Sequence, residues 1–220
     1  GTTIDDAVRV AQLAEATGQI DYINTSIGVA TASLFMIEAS MHVPPGYAMF
    51  IPSAIRKAVE LPVVGVGRFK DPLQAERALA EGHCDLVGVV RGQIADADFA
   101  AKAKAGATDD IRLCLSCNQE CVGRMGLNRW LGCIENPTTG KEAEANVAAP
   151  PREDPTTYVR DVRSRAVHPS WRRSVVVVGA GPAGLQAAIA AAHGGHKVTV
   201  YEKEHHAGGQ VRLAASVPNR

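Results

Sequence analysis

Apolar and polar positions follow two rhythms along the first hundred residues. Ile4, Ala7, Val8, Ala11 and Ala14 recur at helical spacing. Thr3 with Asp6 is a capping-box signal ahead of them and Gly18 a stop, so the spacing predicts a helix over 3–17. Residues 20–27 (IDYINTSI) are short, β-rich and closed by Gly28, which reads as a strand. After a long loop through Met41–Tyr47, the pattern predicts a helix over 52–60 and a second apolar strand over 61–66, closed by Gly67. Asp71-Pro72 then opens a helix as N-cap and first-turn proline, and Gly82 ends it. Residues 85–90 form a third strand with a helix over 95–104 behind it. Continuous apolar strands alternating with amphipathic helices indicate parallel β/α units. Three such units do not close a barrel, which takes eight and about 250 residues.

From 136 to 171 the composition shifts to Pro, Glu, Ala, Arg and Thr, reading as a linker or a wrapping segment. The alternation resumes with a strand over 174–178 (SVVVV), a helix over 182–193 and a strand over 197–201 (KVTVY). This is one βαβ unit, the opening of a Rossmann-type domain.

Composition narrows the partners. The 220 residues carry 23 basic and 23 acidic side chains, interspersed, so no field gathers polyanions and nucleic acid is not expected. No apolar run reaches the roughly 18 residues of a membrane span, and no signal peptide opens the chain, so a membrane is not expected and a cytoplasmic location is. The length is short for the motifs it holds, which suggests a fragment cut at both ends.

Four of the five cysteines crowd into 114–133, spaced Cys114-x2-Cys117-x3-Cys121-x11-Cys133. Without a secretory signal, such a cluster points to metal rather than disulfides. Four thiolates in a three-plus-one spacing suit a 4Fe-4S cube. Structural zinc is the alternative, although zinc sites usually show two separated close pairs and only one CxxC pair exists here. Cys84, alone before a strand, reads as a small buried residue.

Gly179-Ala180-Gly181-Pro182-Ala183-Gly184 matches G-x-G-x-x-G between a strand and a helix. Glu202 ends the next strand, where a carboxylate can accept from ribose hydroxyls. Gly208-Gly209-Gln210 is a second turn able to close over the same nucleotide. In the first half, Gly67-Arg68-Phe69 and Val90-Arg91-Gly92 sit at the C-terminal ends of consecutive strands, the face on which β/α barrels build sites and hold phosphate. His42 and Tyr47 lie in the long loop, at the place of a lid, and an exposed loop histidine is the plain reading of His42.

With these features in this order the chain resembles the iron-sulfur flavoenzymes of the old yellow enzyme superfamily, the group of bacterial 2,4-dienoyl-CoA reductase and trimethylamine dehydrogenase. The resemblance runs through INTSIG (23–28), LPVVGVGRFKDP (61–72), CDLVGVVRGQIAD (84–96), CLSCNQEC (114–121), GCIENP (132–137), VVGAGPAGL (177–185) and GGQVRLAASVP (208–218). MHVPPGY (41–47) and NRWLGC (128–133) add a likeness to the mycofactocin-associated oxidoreductases.

The resemblance implies an α/β chain in three parts. Residues 1–107 would be the last three β/α units of an FMN-binding TIM barrel, 108–172 the cluster loop and linker, and 173–220 the truncated start of an FAD/NAD(P)-binding Rossmann domain. It implies FMN contacts from Gly67, Arg68, Phe69, Val89, Val90 and Arg91, and cluster ligands at Cys114, Cys117, Cys121 and Cys133. FAD, or ADP in its place, would lie on Gly179, Gly181, Ala183, Gly184, Glu202, Lys203, Gly209, Gln210 and Arg220. Where the reductases of this family carry a catalytic histidine and its amine dehydrogenases an acid, this sequence reads Val29-Ala30-Thr31, leaving His42 as a speculative replacement. The implied activity is electron transfer between NAD(P)H, FAD, the cluster and FMN, reducing an activated alkene. Oxidation of a methylated amine at FMN is the alternative, and an inactive piece with an incomplete FMN pocket is the third reading. The expected partners are a small-molecule substrate and a nicotinamide nucleotide or redox partner; the sequence does not set an oligomeric state.

Overall fold

The computed structural model describes residues 2–142 and 172–216. The chain divides into two compact units, 1–145 and 146–220. No helix among the described residues is long and apolar enough to cross a membrane.

In the first unit, helix α1 (Ile4–Ala16) starts in the expected capping box. The Thr3 hydroxyl accepts from Asp6 N–H at 3.2 Å and the Asp6 carboxylate from Thr3 N–H at 2.9 Å. Strands β1 (Ile23–Asn24), β2 (Val63–Val66) and β3 (Leu86–Gly88) form a parallel sheet in that order. Between them stand α2 (Leu34–Ile37), α3 (Phe50–Arg56) and α4 (Pro72–Ala80). The Asp71 carboxylate caps α4 by accepting from Leu73 N–H at 2.9 Å. Ala11, Ile55, Val59 and Val63 make one core between α1, α3 and the sheet, and Met49, Phe69, Ala78 and Cys84 a second behind α4. Cys84 is buried, as its isolation in the sequence suggests.

The elements are shorter than the apolar pattern predicts. The strand expected over 20–27 pairs only at Ile23–Asn24, and that over 85–90 only at Leu86–Gly88. Helix α3 begins two residues before Pro52, which sits in its first turn where its missing N–H costs nothing. It ends at Arg56, and beyond it the Glu15 carboxylate near the end of α1 accepts from Glu60 N–H (2.7 Å) and Leu61 N–H (3.0 Å), holding the chain to α1 as it enters β2.

The helix expected over 95–104 is two helices, α5 (Arg91–Ala95) and α6 (Phe99–Lys104), with Asp96 extended at the break. The buried Asp96 carboxylate accepts from Lys102 Nζ at 2.6 Å, Arg112 N–H at 2.8 Å and Asp98 N–H at 3.1 Å. It thereby ties α6 to the chain leading into the cysteines. Burial alone would push this carboxyl up, but those three donors and the Lys102 charge outweigh it and hold it below the ordinary aspartate value. The stabilisation is therefore complete above the unfolded value of about 3.9 and is lost as pH falls below it, through the depressed folded value. Asp96→Asn should cost roughly 3 kcal/mol at neutral pH and flatten that acid limb, read by urea unfolding of the first unit at stepped pH.

The start of the expected linker is packed. Asn136 and Thr139 are buried and donate to the Ile94 carbonyl at the end of α5, at 3.3 and 2.9 Å. Such carbonyls have no partner within their own helix. The rest of that linker, 143–171, lies outside the described residues.

The second unit is the expected βαβ: β4 (Ser174–Val178), α8 (Pro182–His193) and β5 (Lys197–Tyr201), the strands parallel and paired from Ser174↔Lys197 to Val178↔Tyr201. A short helix, α9 (Gln210–Ala215), follows.

Candidate functional site

At the C-terminal edge of the three-stranded sheet, the loops after β2 and β3 open into a cavity of about 250 Å³. Gly67, Arg68, Phe69, Val90 and Arg91 line it together with Tyr47, Ile94, Cys114, Ser116 and Cys121. Of the FMN contacts implied by the sequence, Val89 alone is not on this wall; it packs against the core of Met49, Phe69, Ala78 and Cys84.

Arg68 has a left-handed backbone (φ 66°), uncommon for a side chain of its size. Its guanidinium donates from Nη1 to Ser116 Oγ at 2.6 Å and from Nη2 to the Val43 carbonyl, while Nε is buried with no partner among the described residues. Arg91 donates from Nη1 to Asn118 Oδ1. Among the described residues neither arginine pairs with a carboxylate. Burial and repulsion by Arg91 both weaken the hold of Arg68 on its proton, partly opposed by Cys114 and Tyr47. Burial likewise pushes the Tyr47 hydroxyl up against the pull of both guanidiniums, and that hydroxyl donates to the Met36 carbonyl. Three basic residues, Arg68, Lys70 and Arg91, line the cavity against one carboxylate, Glu38, and with the orphaned Arg68 Nε they make a site for an anion.

All four clustered cysteines line one small adjoining pocket, and none is in a disulfide. The local chain explains how the fourth arrives. A π-helical turn (Gln119–Gly123) runs into α7 (Arg124–Gly126). Glu120 then clamps the return: its carboxylate holds Arg124 Nε and its carbonyl accepts from Gly132 N–H at 2.9 Å, setting Cys133 beside the others. Burial pushes the Cys121 thiol up. Among the described residues no three His, Cys, Asp or Glu side chains are grouped so as to hold a single ion. Arg91, Ile94, Cys114 and Cys121 belong to the walls of both pockets.

His42 is exposed and is not on the cavity wall, and neither are Val29, Ala30 and Thr31. Ser116 and Asn118, which the sequence reading missed, connect the two pockets. Both are left-handed (φ 58° and 59°), and Asn118 also donates to the Glu38 carbonyl. An asparagine is one of the few residues that tolerates this conformation readily, the one sequence signal that could have singled it out.

In the second unit, Gly179 turns with φ 98° and its N–H donates to the Tyr201 carbonyl at 2.7 Å. A Cβ on Gly184 would stand 1.9 Å from the Gly179 carbonyl oxygen, whereas one on Gly181 would meet open space. The Glu202 carboxylate accepts from Glu204 N–H at 3.0 Å and Ala180 N–H at 2.6 Å, which holds it below the usual glutamate range. Gly208 N–H donates to the Ala180 carbonyl at 2.7 Å, so the second glycine turn does meet the first. Lys203 is exposed near Glu204, and Arg220 lies outside the described residues.

Residues 2–110 match the NADH:flavin oxidoreductase / NADH oxidase family, and the whole chain is 36% identical to 31% of the NADH oxidase of Thermoanaerobacter brockii. The chain belongs to the NADH:flavin oxidoreductase superfamily. Another member, the N,N-dimethylglycine/sarcosine dehydrogenase of Chromohalobacter salexigens, is 35% identical over the full chain and 30% of its own length. A solved member, 2-naphthoyl-CoA reductase in complex with 2-naphthoyl-CoA, superposes with a TM-score of 0.77 at 28% identity, covering 99% of this chain and 30% of that one. Residues 177–218 match an NAD(P)-binding Rossmann-like domain. The chain thus spans about a third of the superfamily members it matches.

Proposed function

We propose that this chain is the electron-transferring middle of an iron-sulfur flavoprotein oxidoreductase: the last three β/α units of an FMN-binding TIM barrel, a 4Fe-4S loop and the start of an FAD/NAD(P) domain. The observation that carries this reading is the shared wall of Arg91, Ile94, Cys114 and Cys121 between the arginine-lined cavity and the thiol pocket. A flavin phosphate fits the first, whose wall carries Lys70 and two guanidiniums that pair with no carboxylate among the described residues, and where Arg68 Nε has no partner among them. A cube suits the second, whose wall gathers all four clustered cysteines, with Glu120 turned to Arg124. The three-plus-one spacing of the cysteines, with a single CxxC pair, supports the cube over tetrahedral zinc, whose sites usually show two separated close pairs.

When bound, the flavins supply two-electron chemistry and the cluster one-electron passage between them. The residues of the chain hold and orient. Arg68 and Arg91 fix an anionic tail, and the Gly179–Gly184 turn with Glu202 receives a dinucleotide. For Glu202 to accept from ribose hydroxyls, its carboxylate shares or gives up the N–H groups of Ala180 and Glu204.

The reaction we favour is NAD(P)H-driven reduction of an activated alkene, in keeping with the likeness to 2-naphthoyl-CoA reductase. Oxidation of a methylated amine is the second reading, favoured by the likeness to the dimethylglycine/sarcosine dehydrogenase. Neither a histidine nor an acid stands at 29–31 to decide between them. Anaerobic stopped-flow of the native-length protein separates the two. Flavin bleaching by NAD(P)H followed by reoxidation with an enoyl thioester is the expected result. Bleaching by a methylated amine and not by NAD(P)H would replace it with the second reading.

A further inference from the structure

The residues on either side of Cys117 each hold one of the two cavity arginines. Ser116, buried to 1% exposure, takes Arg68 Nη1 at 2.6 Å, and Asn118 takes Arg91 Nη1. Both acceptors are left-handed non-glycines, a costly backbone state that persists where the surroundings fix it. Hydrogen bonds to two neighbouring segments fix it. The Ser116 carbonyl accepts from Met41 N–H at 2.9 Å, and the Asn118 amide donates to the Glu38 carbonyl. The cysteine loop is therefore pinned to the chain beside the cavity on one side and to the guanidiniums on the other. Arg68 spends Nη1 on the loop and Nη2 on the Val43 carbonyl, Arg91 spends Nη1 on the loop, and both side chains line the cavity.

We propose that Ser116 and Asn118 are positioning residues for the phosphate of the ligand in the cavity. They aim Arg68 and Arg91, so that affinity for a phosphate monoester depends on the conformation of the cysteine loop. This rests on the flavin-phosphate reading above and adds to it a coupling between the two pockets. A binding coupling is reciprocal, so a phosphate held by both arginines also favours the loop conformation that gathers the thiols.

Glycine is the clean substitution, because it removes the acceptor while suiting a positive φ. In the flavin-depleted native-length protein, Asn118→Gly, which removes both the acceptor for Arg91 and the donor to the Glu38 carbonyl, should weaken FMN binding on the order of tenfold and leave riboflavin binding unchanged. Ser116→Gly should do the same through Arg68, and it carries the test if the first variant fails to fold. Riboflavin lacks only the phosphate, so a merely structural role would lower both affinities together. Equal loss for the two flavins, or no loss for either, overturns the proposal. Failure of the unsubstituted protein to bind FMN would instead overturn the reading on which it rests.

Discussion

Gly184→Ala should abolish nucleotide binding by the second unit. The added methyl would stand 1.9 Å from the Gly179 carbonyl oxygen and 3.1 Å from its carbon, so backbone rather than a flexible side chain is in the way. Helix α8 would have to lift off the turn by more than an ångström. That turn is also where Gly179 N–H reaches Tyr201 and Ala180 N–H reaches Glu202. Overpacking of this kind costs about 3 kcal/mol. The expected result is native-length protein purified without FAD or ADP and with rapid proteolysis inside 172–216, while the iron proposed at the four cysteines is retained. Gly181→Ala is the control: its Cβ meets open space, so the unit should stay folded and lose affinity only through crowding of the ligand.

Arg68→Ala should have the second largest effect, this time on the cavity. The change removes the donor to Ser116 Oγ and to the Val43 carbonyl, and with it one of the two guanidiniums on the cavity wall. It does not relieve the left-handed backbone, since alanine at φ 66° is as strained as arginine. With charge-assisted hydrogen bonds worth about 1.5–3 kcal/mol each, FMN affinity should fall about a hundredfold. Arg68→Lys should fall between the two, because a single ammonium cannot reach both loops and a phosphate at once. Titration of flavin-depleted protein with FMN, followed by fluorescence quenching, measures both. Arg68→Ala binding FMN as well as the unsubstituted protein would contradict the anion site.

Much of this was legible in the chain because it depends on local chemistry. Thr3 with Asp6 and Asp71 with Pro72 mark helix starts by their own hydrogen bonds, and the structure bears both out. The strand at Ser174–Val178, the turn at Gly179 and the helix at Pro182 follow from neighbours in sequence. What the pattern missed depends on distant partners. Glu15 holds the chain after α3 at Glu60, 45 residues away, and Asp96, extended where the expected helix over 95–104 breaks, accepts from Arg112, 16 residues on. Periodicity carries no trace of such bonds. The site shows the same division. The cysteine spacing and the two arginines stand out as residue types, whereas Ser116 and Asn118 matter through backbone conformation and cross-loop contacts that appear only once the chain is folded.

The central claim is that the four thiols carry an iron-sulfur cube behind the wall of a flavin cavity. Iron, zinc and acid-labile sulfide analysis of the anaerobically purified native-length protein tests it most directly. The account predicts about four iron and four sulfide per chain, with zinc near background. About one zinc per chain with no sulfide would contradict it.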